Sequence, residues 1–424
     1  MSRKRLVGLA AVFTALSCAA AAQAPPAAPS PWSIAATAQS SYDSNLLQDN
    51  QQTIAGWEQE LNGLLQWQQL SPTHRLQLQY RPAMQIVTAY PGLNSFNQTA
   101  VANLRMKPSP RWTLGGSADG SYLERMPTTG VGSVTGLAGV APLPLLPRTR
   151  AVSGDAQLQL GYAMSARSSL QAFGEFTERR FPGAGVWAQT LRGVKGENSG
   201  LRYSFTATPR TTWGLELDQQ NFGIGHDAHL AAASLLLHFQ HDFTPVTSVQ
   251  FSGGPEYSQV HETDQLHLNI GGLPLTLTDR FYRVRTYPRL TASITHQGRG
   301  WPWRLTLGQQ ISNGGGALPF PTSLFTASGS IARQISPQWR AQFGLNASQF
   351  NALDGGADLV GHVRLAAIDA ALARRLGRQL SLEFDYEYFL QRSSGLMPLA
   401  PALNRSLGGI RLRWQWPPLP EGGV

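Results

Sequence analysis

The chain has 424 residues, 42% of them hydrophobic and only 14% charged, with a formal net charge of +9 and a pI near 10.0. Its one cysteine, Cys18, excludes a disulfide framework and thiolate metal sites. No apolar run reaches the roughly 20 residues of a spanning helix, and the basic residues are scattered without any module for nucleic acid, so no nucleic-acid partner is expected.

Residues 1–24 read as a secretory signal. Arg3, Lys4 and Arg5 form a basic start, Leu6 to Leu16 is mostly apolar, and Ala22-Gln23-Ala24 is a small-residue cleavage site. Without those three cations the net charge is about +6, a moderate basicity. Residues 25–32 are rich in Ala and Pro and are expected to be a disordered leader.

From residue 33 to 416 the pattern is that of strands. Leu76, Leu78 and Tyr80 alternate with Gln77 and Gln79. Leu158, Leu160 and Tyr162 lie on one face, with Gln157 and Gln159 on the other. Trp303, Leu305 and Leu307 oppose Arg304 and Thr306, and Leu382, Phe384, Tyr386 and Tyr388 oppose Ser381, Glu383, Asp385 and Glu387. Such period-two alternation over about ten residues is the signature of a membrane-spanning strand with one lipid-facing side.

A recurring punctuation separates the strands: Ser or Thr, then Pro, with Trp often opening the next strand. It occurs at Ser109-Pro110-Arg111-Trp112, at Thr208-Pro209 before Trp213, and at Ser336-Pro337-Gln338-Trp339; Ser71-Pro72 and Thr244-Pro245 lack the Trp. Pro cannot donate to a ladder and so belongs in the turn. Further short turns fall near Ala166, Gly300 and Gly377. Longer segments rich in Gly, Pro, Asn and Asp alternate with them, the longest being Glu124 to Pro147 and His261 to Asp279.

Short turns on one rim and long loops on the other predict an all-β fold: a transmembrane antiparallel β-barrel with short periplasmic turns, long external loops and both termini in the periplasm. The segmentation gives about 18 strands. Sixteen is the competing count, because the stretches near 189–207 and 324–335 are weakly patterned. A soluble β-sandwich also alternates, but has no reason to place Trp beside one class of turn. Trp67, Trp112, Trp213, Trp303, Trp339 and Trp414 are accordingly expected to form the aromatic girdle of the periplasmic rim. Residues 417–424 form a Pro-containing periplasmic tail.

The last strand, Gly409 to Trp416, ends in aromatics and resembles the terminal signal read by the barrel-insertion machinery. Ser41-Tyr42-Asp43-Ser44-Asn45 is similar to a stretch ending the first strand in several families of outer-membrane β-barrel porins of Gram-negative bacteria, some linked to exopolysaccharide export. The resemblance implies an outer-membrane location and lipid as a partner. It names no solute and no oligomeric state.

With the Leu/Tyr/Trp face toward lipid, the other face lines the interior. The basic pore-lining candidates are Arg283, Arg285, Arg289, Arg304, Arg411 and Arg413; the acidic ones are Glu216, Asp218, Glu383, Asp385 and Glu387. Hairpin geometry places Arg202 near Glu216, and Glu383 and Asp385 near Arg411 and Arg413. Arg283, Arg285 and Arg289 share a face with Tyr287 and have few acids near them in sequence, which suggests an anion ladder.

The expected role is a porin-like channel for small hydrophilic solutes, leaning toward anions, or for a polysaccharide. The competing roles are a barrel enzyme acting on lipid or peptide, and a closed structural or adhesive barrel. No catalytic residue is nominated, because no G-x-S-x-G elbow, H-E-x-x-H helix, Walker loop or dinucleotide fingerprint is present. His261, Glu262, Asp264 and His267 are the densest ligand-like group, but the spacing carries no metal assignment, and no cofactor is expected.

Overall fold

The structure, a computed structural model, describes residues 30–46, 53–124, 150–183, 193–225, 228–270, 273–298, 300–312, 322–353, 362–394 and 402–417. The expected signal, most of the leader, the bulk of the Glu124–Pro147 loop and most of the tail lie outside them.

Eighteen strands follow one another: β1 (Trp32–Asp43), β2 (Gly56–Leu70), β3 (His74–Val87), β4 (Ser95–Ser109), β5 (Trp112–Leu123), β6 (Ala151–Ala163), β7 (Ser168–Arg180), β8 (Val194–Thr208) and β9 (Thr211–Ile224). Then come β10 (Ala228–Thr244), β11 (Thr247–Ile270), β12 (Leu273–His296), β13 (Trp303–Ser312), β14 (Thr322–Gln334), β15 (Trp339–Ala352), β16 (His362–Arg375), β17 (Leu380–Ser393) and β18 (Leu403–Trp416). Each pairs antiparallel with its sequence neighbours, and β1 also pairs with β18 from Ile34↔Trp416 to Asp43↔Leu407. The sheet therefore closes on itself and satisfies its own edges, as a hydrocarbon environment demands. The weakly patterned stretches are strands β8 and β14, so the count is 18 rather than 16.

The Ser/Thr-Pro turns have a local cause. The hydroxyls of Ser71, Thr208, Thr244 and Ser336 each accept a backbone N–H two or three residues on, from His74 at 3.0 Å, Arg210 at 3.3 Å, Val246 at 3.3 Å and Trp339 at 3.2 Å. The hydroxyl closes the turn while Pro fixes φ at the next position. Ser165 does the same without Pro, accepting from Ser168 N–H at 3.0 Å.

The outer face is an apolar band. Leu78, Leu158, Leu217, Leu305, Leu345, Phe384 and Ile410 are all exposed there, while polar residues alternate inward. On β16 the band runs from Arg374, stacked 5.2 Å from the Trp339 ring, up to Arg364 opposite Arg392. Ten residues at about 3.4 Å each, tilted about 40°, span about 26 Å, close to the roughly 25 Å apolar height of such barrels.

Trp67, Trp112, Trp213, Trp303, Trp339 and Trp414 share the outward parity and the short-turn end. Trp32, Trp301 and Trp416 join them at that rim. Trp57 lies at the opposite rim, edge-on to Tyr42 at 5.7 Å. Leu158 and Gln157 test the two faces one residue apart. Leu158→Arg is expected to destabilise the folded barrel by about 2–4 kcal/mol, and Gln157→Arg to stay within about 0.5 kcal/mol, measured by urea unfolding from lipid vesicles.

One expected loop is corrected. His261 to Asp279 is not an irregular external loop: β11 and β12 stay in register from Thr247↔His296 out to Ile270↔Leu273. The sequence carries the reason. Leu266, Leu268, Leu275 and Leu277 alternate with polar neighbours, the period of strands and not of an irregular loop. Beyond Glu262 this hairpin has no pairing to β10, and before Leu290 none to β13.

Candidate functional site: the barrel interior

The interior divides by height. Toward the long-loop end it is packed. One apolar cluster gathers Leu324, Phe350, Val363, Leu365, Ala367, Phe389 and Leu403; a second gathers Val194, Phe222, Ile224, Ala228, Leu230, Val260, Ile311 and Leu353, with Tyr287 against it. Sequence reasoning missed both groups, because apolar residues at inward positions break the simple apolar-out, polar-in rule only at the strand ends. Toward the short turns the inward residues are mainly Gln, Asn, Ser, Thr and Arg, and a recess of about 730 Å³ runs along β3 to β7, lined by Arg75, Arg105, Gln77, Gln157 and Gln171 among others.

All eleven charged candidates sit on the inward face, but their partnerships differ. Arg202 is bonded to Glu216, as the Thr208-Pro209 hairpin requires, and His238 Nε2 lies 3.0 Å from the same carboxylate. Arg411 donates to Glu383 Oε1 at 2.8 Å and to Gln39 Oε1 at 3.0 Å, and Gln39 donates on to Asp385 Oδ2 at 3.2 Å. This charge chain crosses β17, β18 and β1. Arg413 does not meet Asp385: its neighbour on β17 is Ser381, and it donates instead to Gln415 at 3.2 Å. Glu387 stands opposite Leu407.

The expected ladder on β12 is also corrected. Arg289 is not short of acids. It is buried and bonded to Asp218, with Glu256 at 3.8 Å and Ser234 Oγ accepting from it at 3.2 Å. Ser234 in turn donates to Asp218 Oδ1 at 2.7 Å, and Glu256 Oε2 accepts the Ile311 N–H at 3.1 Å. Gly254 faces Arg289 on β11, and a Cβ there would run into the Leu235 carbonyl, so glycine permits the close strand approach and clears the path toward β9. Arg283 and Arg285 remain, exposed or half-buried, and no acid among the described residues is in ion-pair range of either. Arg285 donates to Tyr287 Oη at 3.4 Å and Arg304 to Thr295 Oγ1 at 3.2 Å.

Asp43, within the Ser-Tyr-Asp-Ser-Asn stretch, closes the barrel seam. Arg405 Nε donates to Asp43 Oδ1 and Oδ2 at 3.0 Å, and Arg405 Nη2 to Oδ2 at 2.7 Å. Ser44 and Ser406 exchange two further bonds, at 3.0 and 2.8 Å, and Asn45 N–H returns to Asp43 Oδ1 at 2.8 Å. The Asp-Ser-Asn stretch is thus a clasp between first and last strands, with both charged partners buried.

A closed, single-chain antiparallel barrel with an even strand number, an apolar belt and an aromatic girdle is the form of a bacterial outer-membrane protein. Among solved structures the chain is similar to Pseudomonas aeruginosa OpdL, at 11% identity and TM-score 0.43, over 92% of this chain and 99% of that one. It is likewise similar to Acinetobacter baumannii OccAB4, at 7% identity and TM-score 0.43 over 92% and 99%, and to the outer membrane protein OpdK from P. aeruginosa, at 9% identity and TM-score 0.43 over 91% and 98%. No family model and no curated protein matches the chain. The barrel assignment rests on the chain's own strand pairing.

Proposed function

We propose that the barrel is an outer-membrane channel passing small hydrophilic solutes, with a preference for anions, or a polysaccharide. The polar, cation-bearing inner wall of the short-turn half carries this reading, since a ring of 18 strands is wide enough to leave an aqueous path unless loops fill it. Arg283 and Arg285, unlike Arg289, have charge to offer a passing anion. Glu216 is engaged by Arg202 and His238, and among the described residues no group of three or more His, Cys, Asp or Glu is placed to hold a metal ion.

A closed barrel is the second reading, favoured by the two apolar clusters in the long-loop half. Planar-bilayer recording separates the two. An open channel gives discrete conductance steps with anion selectivity, and Arg283→Gln with Arg285→Gln is expected to reduce that selectivity while leaving the steps. Silence across many insertions would sink the channel and leave the closed barrel.

A further inference from the structure

The short-turn mouth carries one sign of charge. Six arginines face inward near it: Arg75, Arg105, Arg304, Arg340, Arg375 and Arg413. Arg111, Arg167 and Arg210 stand exposed on three of the short turns. Among the described residues the acid facing inward at this level is Asp242, opposite Ser248. Glu383, the next one in, is already bonded to Arg411, and Asp369 shares a recess with Arg304 without reaching ion-pair range.

Two features separate this ring from a wall balanced by its own acids. Arg75 and Arg105 are direct cross-strand partners, a like-charge pair that destabilises a sheet unless an anion is shared between them. None of the six inward arginines has an acid bonded to it among the described residues. Pointing inward, they cannot serve lipid headgroups either. Beside the Arg75–Arg105 pair, the recess of about 730 Å³ is lined with the side chains of Gln77, Gln157 and Gln171, whose amides each offer donors and an acceptor that a sugar hydroxyl can use.

We infer that the short-turn mouth is a receiving funnel for an acidic polysaccharide, a glycan carrying carboxylates on successive sugars, presented from that side of the membrane. Carboxylates meet the arginine ring and sugar hydroxyls meet the amide wall. The charge asymmetry concentrates the polyanion at one end, as clefts of one sign do for oppositely charged ligands. Passage beyond the mouth rests on the channel reading; capture at the mouth does not.

The test uses the full-length barrel with oligogalacturonate as probe. In planar bilayers, with orientation read from a tag on the C-terminus, oligogalacturonate added on the short-turn side is expected to interrupt the current at a concentration at least about tenfold lower than from the other side. A neutral maltodextrin of the same length should do nothing comparable. The triple variant Arg75→Gln, Arg105→Gln, Arg340→Gln should abolish the sidedness. Equal block from both sides, or block unchanged in the triple variant, overturns the inference. Titration calorimetry on the detergent-solubilised protein keeps the question open to decision in a silent barrel: binding lost in the triple variant supports the funnel even if the channel reading has failed, and no binding overturns it. Polyglutamate binding as tightly as oligogalacturonate would also overturn it, marking the mouth as a dock for an acidic protein segment.

Discussion

Asp43→Ala is expected to destabilise the folded barrel by about 3–5 kcal/mol, the cost of stranding a buried charge when its partner is removed. Arg405 would be left with three hydrogen bonds broken at a site where its side chain is 2% exposed and that of Asp43 is not exposed at all. The carboxylate also holds the Asn45 N–H, so the turn leaving β1 loosens with it. Urea unfolding from lipid vesicles gives the size of the effect. The double variant Asp43→Leu, Arg405→Leu decides the cause: it removes both charges and should recover most of the loss. If the double variant is as unstable as the single ones, the site matters through its shape and not its charge.

Arg289→Ala should cost a similar amount, about 3–5 kcal/mol, for the same reason acting on two acids. Asp218 and Glu256 are both buried, and one Glu256 oxygen has no hydrogen-bond partner among the described residues even with Arg289 in place. The loss should be partly relieved by adding Asp218→Asn, which can still accept the Ser234 hydroxyl. A change below about 1 kcal/mol in Arg289→Ala would show that water already shares this site. The contrast with Arg283 and Arg285 is informative: neutralising those two should leave stability within about 0.5 kcal/mol, because one is exposed, the other half-buried, and neither has an acid in ion-pair range among the described residues.

Most of the wall was legible in the sequence, since period-two alternation and the Ser/Thr-Pro turns encode local geometry. The turn hydroxyls of Ser71 and Ser336 act within three residues, and Arg202 meets Glu216 across one hairpin. β8 was faint because Gly196, Ser199 and Gly200 blur its alternation, yet it is fully paired on both sides. Contacts set by closure were out of reach. Arg289 and Asp218 lie 71 residues apart, and Asp43 and Arg405 lie 362 apart; they meet only because intervening strands stack in a ring. The apolar interior was hidden for a related reason, as Phe222, Leu230 and Val260 come together only across three adjacent strands.

The pairing of β1 with β18 has a consequence for how such a chain is made. Every other ladder joins strands adjacent in sequence and can form as the chain lengthens; this one joins the two ends of the domain. Until Leu403 to Trp416 is available, β1 and the newest strand each present a full row of unsatisfied amides and carbonyls, which a hydrocarbon interior does not tolerate. The final strand therefore works as a proof of completeness: a product lacking even the fourteen residues of β18 has no low-energy way to enter the bilayer, and is left to aggregation or proteolysis instead.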